Sequence, residues 1–431
     1  WWWAVNLLFN YLSLTLYQVS NYVVPLLLVP FLSRTLGAHV YGEVMVVQSA
    51  MLFCFVVVDF GFNQVAARNI ALSVSRQDRD TYVSAVMMIK LILLLCCAVS
   101  VLALSWVVPV FSSHVMLTWL SFPMVMGYCF FNVWFFQALE KSWVIVLCVL
   151  MGRFLFSLPL FLVVREASDF CWVPIFVSLG YCVSACISIV FMFRCGFVFR
   201  VPPLGLLRST FAKMFPVFVG NISTSVYTVL NTVLMGMYAP PSVTGLFIAL
   251  EKVFRGGVGL LSAVNMAILP RISKQYAADQ QQGTRLLWGI LLLAPLVSAC
   301  AFAVALLAKA PILVLLFGAS GKDAVDPVLY RLAASIIFVV PVSAVLFQLL
   351  LIVQKKERYF GPIFLVAAGA SIGSIFLLFS LKVDHTRLFP MAMIFSEIFV
   401  LMAGCFLFVR KAKQGVSPKQ SVLHKRTGSA V

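Results

Sequence analysis

Ionisable residues interrupt stretches otherwise made of Leu, Val, Phe and Ala: Lys90, Arg153, the trio Glu251, Lys252 and Arg255, and Glu397. On insertion scales a basic side chain at the bilayer centre costs about 3 kcal/mol, so four cations facing lipid would cost about 12 kcal/mol. That matches the whole stability of a typical domain. The economical placement is an internal, hydrated cavity of positive sign. Arginine presents a planar fork that meets phosphate bidentately, and lysine a mobile point charge. A cavity carrying Lys90, Arg153, Lys252 and Arg255 therefore suits an anion such as a pyrophosphate or an acidic sugar. Glu251 and Arg255 are spaced i,i+4 in the favourable order for an ion pair on one helix face. Lys252, i,i+3 from Arg255, leaves a cationic surplus even with that pair formed. Glu397 reads either as a proton-coupling carboxylate or as a partner for Lys90 or Arg153. Asp59 and Asn63, also i,i+4, are expected to share a face and to cap or bridge to a neighbouring helix. With Glu251 and Glu397 they make the set expected to couple an ion or to line a polar lumen.

These residues need a scaffold, and composition dictates its kind. Hydrophobic residues make up 63% of the 431, charged residues 10%, and mean hydropathy is +1.06, which excludes a water-soluble globular protein. About 20 apolar residues cross a bilayer. Twelve stretches qualify: 7–33, 42–64, 81–110, 117–139, 142–164, 172–193, 214–238, 246–269, 286–308, 332–353, 360–380 and 388–409. The fold class is all-α and polytopic, with twelve transmembrane helices and no room for a soluble domain. The first stretch is too long for a signal-peptide core and reads as a retained helix. Prolines within or near most spans, Pro25, Pro216, Pro295, Pro341 and Pro390 among them, suit helices that bend.

A net charge of +17 would suggest nucleic acid in a soluble chain, but here its distribution sets its meaning. With the N-terminus inside, twenty of the 31 basic residues fall in inner segments and seven in outer ones, the intramembrane four making up the rest. The positive-inside rule then places both termini in the cytoplasm. Six spans precede the basic, proline-containing segment 196–213 and six follow it. This divides the chain into a bundle over 1–195, a cytoplasmic linker over 196–213, a bundle over 214–410 and a basic tail over 411–431. Internal similarity at an offset of about 203 residues aligns Gly42 with Gly245 and Asn63 with Asn265, as a parallel duplication requires. The eleven cysteines show no metal spacing and read as small hydrophobes. Phosphate-loop, metalloprotease and hydrolase motifs do not occur, so neither a catalytic residue, a metal nor a cofactor is expected, beyond H+ or Na+ as a coupling ion.

Four stretches carry a resemblance. Asn21-Tyr22-Val23-Val24-Pro25-Leu26-Leu27-Leu28-Val29-Pro30-Phe31-Leu32-Ser33-Arg34-Thr35-Leu36-Gly37, Asp59-Phe60-Gly61-Phe62-Asn63, Trp134-Phe135-Phe136-Gln137-Ala138-Leu139-Glu140-Lys141 and Leu269-Pro270-Arg271-Ile272-Ser273 resemble, in order, the O-antigen flippases called Wzx. Where family members commonly carry Gly after that Gln, this chain has Ala138. The resemblance implies a fold similar to the MOP and MATE transporters, two six-helix bundles forming a V around a central cavity. It also implies movement of undecaprenyl-pyrophosphate-linked oligosaccharide from the cytoplasmic to the periplasmic leaflet of the bacterial inner membrane. The family's cationic lumen maps onto Lys90, Arg153, Lys252 and Arg255. A polysaccharide polymerase and a chain-length regulator are the protein partners it implies.

Two other functions compete. A multidrug exporter of the same superfamily would handle organic cations, which a positive cavity repels. A membrane glycan polymerase or ligase would carry a long external loop, whereas the longest here runs only over about 309–331.

Overall fold

A backbone in hydrocarbon must satisfy its own N–H and C=O groups, which leaves helices for a sequence this apolar. The computed structural model describes residues 2–73, 75–278, 280–319, 325–347 and 360–412, and among these no strand occurs. The main helical runs are α1 (Trp2–Thr35), α2 (Gly37–Ala71), α3 (Arg76–Val107), α4 (Val115–Ala138), α5 (Ser142–Val163), α6 (Trp172–Arg194), α7 (Leu204–Tyr238), α8 (Pro241–Ala278), α9 (Gln280–Leu307), α10 (Pro327–Phe347), α11 (Phe360–Ser380) and α12 (His385–Ala412). Short helices Pro109–Ser112 and Lys309–Phe317 lie in the connections.

Eleven helices of the described residues are long and apolar enough to cross a membrane. The expected span at 246–269 is not among them, and most of its side chains beyond Gly259 lie outside the described residues. The helix that contains it, α8, is nonetheless 38 residues long, about 57 Å at 1.5 Å per residue. The end of the expected span 332–353 and the expected tail from 413 onward lie outside the described residues, and the tail's first residues, 411 and 412, end α12. The segment expected as a linker over 196–213 is non-helical only through Pro203, and α7 begins at Leu204. Pro203 cannot donate a backbone hydrogen bond but holds a φ suited to a helix start.

Several helices are broken inside the apolar layer, each where the sequence supplies the means. In α2, Phe60 and Gly61 both adopt left-handed backbone (φ 47° and 86°). This break falls between Asp59 and Asn63, yet the Asn63 side chain still meets the Asp59 carboxylate and reaches Tyr128 of α4, the bridge to a neighbouring helix that the spacing suggested. In α4 the chain breaks at Phe131 and Asn132, where Ser188 Oγ on α6 accepts the Asn132 N–H at 3.1 Å. In α5 a π-helical turn runs from Val149 to Phe154, and Pro159 interrupts the helix further on.

The packing has a large core cluster shared by α1, α2, α8, α10 and α12, and an aromatic cluster around Phe60, Phe62, Trp134, Phe135 and Phe136. Large apolar side chains such as Trp106 and Leu307 are more than four-fifths exposed, as lipid-facing positions require. Gly42 and Gly245, aligned by the internal offset in sequence, pack backbone to backbone where α2 begins against where α8 begins. A Cβ on Gly42 would collide with the Pro241 carbonyl, and one on Gly245 with the Ala38 carbonyl. Ser33 and Arg34 of α1 donate to the Leu316 and Val314 carbonyls, each at 2.6 Å, which ties the end of α1 to the connection after α9. The side chain of Asn265, the counterpart of Asn63, lies outside the described residues. We predict that Gly42→Leu lowers the thermal midpoint of the purified chain in detergent by overpacking, a cost of about 1–3 kcal/mol. Gly369→Ala, whose Cβ would meet nothing within 4 Å, should not lower it. An unshifted midpoint for Gly42→Leu would mean that the helices do not meet there.

Candidate functional site

The cationic residues are placed by local helix geometry. Arg153 sits on the π-helical turn of α5, beside Gly152. A Cβ at Gly152 would strike Ser184 and the Gly180 carbonyl of α6, so the glycine lets the two helices close and brings Arg153 over the Tyr181 ring at 4.4 Å. The guanidinium also lies 5.4 Å from the Phe131 ring, and its Nη1 donates to Asn21 Oδ1 of α1 at 2.8 Å. A desolvated contact of this cation–π kind is worth about 2 kcal/mol, which holds a charge in place without neutralising it. The Nε of Arg153 is buried with no hydrogen-bond partner.

Lys252 and Arg255 stand on α8. Arg255 Nε donates to Glu251 Oε1 at 2.8 Å, and Thr232 Oγ1 of α7 donates to Glu251 Oε2 at 3.4 Å. The i,i+4 pair expected from sequence therefore forms. Lys252 turns toward α2, its Nζ 2.8 Å from the Met45 sulfur, a weak acceptor, and the acid whose charge acts on it is its neighbour Glu251.

Arg153, Lys252 and Arg255 line one cavity of about 370 Å³, within the range of small-ligand sites. Its wall draws Asn21 and Pro25 from α1, Tyr41, Met45 and Gln48 from α2, Ser157 from α5 and Tyr181 from α6, while α8 supplies the second half's side. No carboxylate is among its lining residues, so three cations face the space while the acids that act on Arg255, Glu251 paired with it and Glu397 of α12, stand off the wall. Asn21, Tyr41, Gln48 and Tyr181 were not singled out by sequence. Isolated polar residues in apolar helices are the only signal they give.

The remaining residues lie apart. Lys90 of α3 is 1% exposed and does not line the cavity. Its charge interacts with Asp59 across the first bundle. Asp59 Oδ1 is buried without a hydrogen-bond partner, and so is Asn63 Oδ1, while Asn63 Nδ2 donates to the Tyr128 hydroxyl at 3.3 Å. Glu397 on α12 is 7% exposed and accepts from Ser343 Oγ at 3.2 Å. The cation whose charge acts on it is Arg255, rather than Lys90 or Arg153. Among the described residues no group of His, Cys, Asp and Glu could hold a metal.

This arrangement, a helical bundle around a cavity that carries three cations, is a polytopic membrane fold. The chain superposes on an inward-facing multidrug resistance MATE family transporter of the MOP superfamily, with a TM-score of 0.63, 13% identity and coverage of 95% of this chain and 100% of the other. An outward-facing MATE family transporter gives a TM-score of 0.52 at 11% identity, with coverage of 94% and 96%. Residues 7–276 match the family model described as "Polysaccharide biosynthesis protein", and the chain belongs to that family. A protein named "Putative O-antigen transporter" from Escherichia coli (strain K12) is 29% identical over 392 residues, 90% of this chain and 91% of its own. A protein of the same name from Shigella dysenteriae is 25% identical over 379 residues, 83% and 89%. The protein is thus a polytopic membrane protein of the polysaccharide biosynthesis family with a fold like that of the MATE transporters.

Removing Arg255 alone would leave Glu251, 9% exposed, as an uncompensated buried charge. Arg255→Ala should then destabilise the purified protein by about 3 kcal/mol, read as a lower thermal midpoint. Glu251→Gln combined with Arg255→Met should recover most of that loss. A single variant as stable as the parent would mean that the pair does not form.

Proposed function

We propose that the protein is an O-antigen or polysaccharide repeat-unit flippase, carrying an undecaprenyl-pyrophosphate-linked oligosaccharide from the cytoplasmic to the periplasmic leaflet of the bacterial inner membrane. The observation that carries this reading is the cavity lined by Arg153, Lys252 and Arg255 with no carboxylate on its wall. A pyrophosphate carries negative charge that such a wall stabilises in low dielectric, and arginine matches its oxygens bidentately. Sugars meet polar neighbours such as Asn21, Gln48 and Ser157, while the prenyl tail stays in lipid beside the bundle. The names of the relatives and the family support the cargo class.

Both termini face the cytoplasm in this reading, and the end where α1 runs into α2 faces outward. Alternating access follows from rocking of the two halves about the contact at Gly42 and Gly245. H+ or Na+ supplies the drive through the buried carboxylates Glu397 and Asp59, the latter held near Lys90. A polymerase and a chain-length regulator receive the flipped unit. A multidrug exporter shares the fold, but three cations on the wall repel organic cations.

The test is transbilayer movement of the lipid-linked oligosaccharide in proteoliposomes. Wild type should move it, faster with an ion gradient, and the combined Arg153→Gln and Lys252→Gln variant should lose at least 90% of the rate, about the tenfold that one 1.4 kcal/mol interaction gives. Absence of movement by wild type under every gradient would reject the reading and turn attention to small-molecule efflux.

A further inference from the structure

Away from the central cavity, at the end of the bundle where α3 begins, lies an open hollow of about 400 Å³. Ile70 and Ser73 line it from the end of α2, Ser75, Arg76 and Arg79 from the start of α3, and Cys195 from the chain just after α6. Its size falls within the range of small-ligand sites. No carboxylate is among its lining residues. Lys141, at the turn between α4 and α5, reaches its rim, with Nζ 3.3 Å from Cys195 Sγ. The segments 68–80, 140–141 and 194–200 carry six basic side chains and three acidic ones, so the field at this end of the first bundle is positive.

Basic side chains at a membrane boundary ordinarily extend their heads freely into water. The two arginines here are held instead. Arg76 Nη2 donates to the Gly196 carbonyl at 2.7 Å. Gly196 permits this contact with a left-handed φ of 76° and with the absence of a Cβ, which would strike that guanidinium. Arg79 donates through Nε and Nη2 to Asp80 Oδ1 at 3.0 and 2.8 Å. Asp80 is 2% exposed, and its Oδ2 accepts the Val198 N–H at 3.3 Å. Arg79 is thus paired in place, whereas the partner of Arg76 is an uncharged carbonyl. Asp78, an exposed acid on the same turn, accepts the Ser75 hydroxyl on Oδ2 at 2.7 Å. The guanidinium N–H groups of Arg76 not engaged at Gly196 match the paired oxygens of a phosphate.

The surroundings favour a lipid over a soluble anion. Leu72, beside Ser73, and Val198 and Phe199, just beyond Cys195, are each more than half exposed. Apolar surface therefore adjoins the cationic hollow, the combination that an anionic amphiphile satisfies. We propose that this hollow binds the phosphate of an anionic bilayer phospholipid, with Arg76 as the charged contact and the acyl chains lying along Leu72, Val198 and Phe199. Attraction of anionic lipid to basic groups near the membrane surface supplies the long-range part of the affinity. The inference stands on residues outside the central cavity and holds whatever the cargo is. A lipid seated there touches the end of α2, the start of α3 and the segment that leads from α6 to the second half, and so braces the first bundle at that end.

The test counts lipid bound to the purified full-length chain in detergent by native mass spectrometry, with phosphatidylglycerol and phosphatidylcholine titrated separately. Phosphatidylglycerol should bind about tenfold more tightly, and Arg76→Gln should abolish that preference, the loss of one contact of about 1.4 kcal/mol. Arg76→Lys, which keeps the charge without the fork, should retain part of it. Ser73→Trp fills the hollow while leaving every cation in place and should also abolish the preference, so it decides the matter if Arg76→Gln fails to fold. Inorganic phosphate in large excess should displace little of the bound phosphatidylglycerol. Equal affinity for the two lipids would overturn the proposal, as would a preference that survives in both Arg76→Gln and Ser73→Trp. Full displacement by inorganic phosphate would also overturn it, by making the hollow a site for a free anion.

Discussion

A charge inside a bilayer must be solvated by protein or by enclosed water, and the architecture of this chain follows from that requirement. Each buried ion has a different solution. Arg255 takes Glu251, Arg153 takes two aromatic faces and an amide, and Lys90 sits within reach of Asp59 inside the first bundle. Lys252 has a thioether and the cavity. The pairs that neutralise themselves tie helices together, while the groups held without a counter-charge give the cavity its sign.

Holding Arg153 and Lys252 at one cavity requires the helices that carry them to approach closely, and small residues allow it. Gly152 and Gly180 join α5 to α6, and Gly42 and Gly245 join α2 to α8. Interruptions do the rest: the π-helical turn at Val149–Phe154 aims Arg153 and the left-handed pair Phe60 and Gly61 bends α2 away from Asp59. Backbone groups released at such breaks find side-chain partners, as Asn132 does with Ser188, which is how irregular backbone survives at membrane depth.

Much of this was legible in sequence because hydropathy and helix spacing are local. The apolar stretches located the helices, and the i,i+4 spacing of Glu251 and Arg255 gave their ion pair. The meeting of Asp59 and Asn63 was legible from their spacing, but the break between them was not, since Phe60 carries no sign of positive φ. The partner of Glu397 could not be read either, because contacts between α12 and α8 depend on tertiary packing. Polar wall residues such as Tyr41 and Gln48 emerged only with the cavity.

The central claim is that cations contributed by both halves of the bundle bind one anionic group in one cavity. Equilibrium binding of a short-chain prenyl-pyrophosphate oligosaccharide to the purified transporter tests it most directly. Comparison should be made with the chain carrying Arg153→Gln and Lys252→Gln, one substitution in each half. The account predicts affinity reduced by about 100-fold, two losses of roughly 1.4 kcal/mol each, and weakened further by salt. Equal affinity in the two proteins would contradict it.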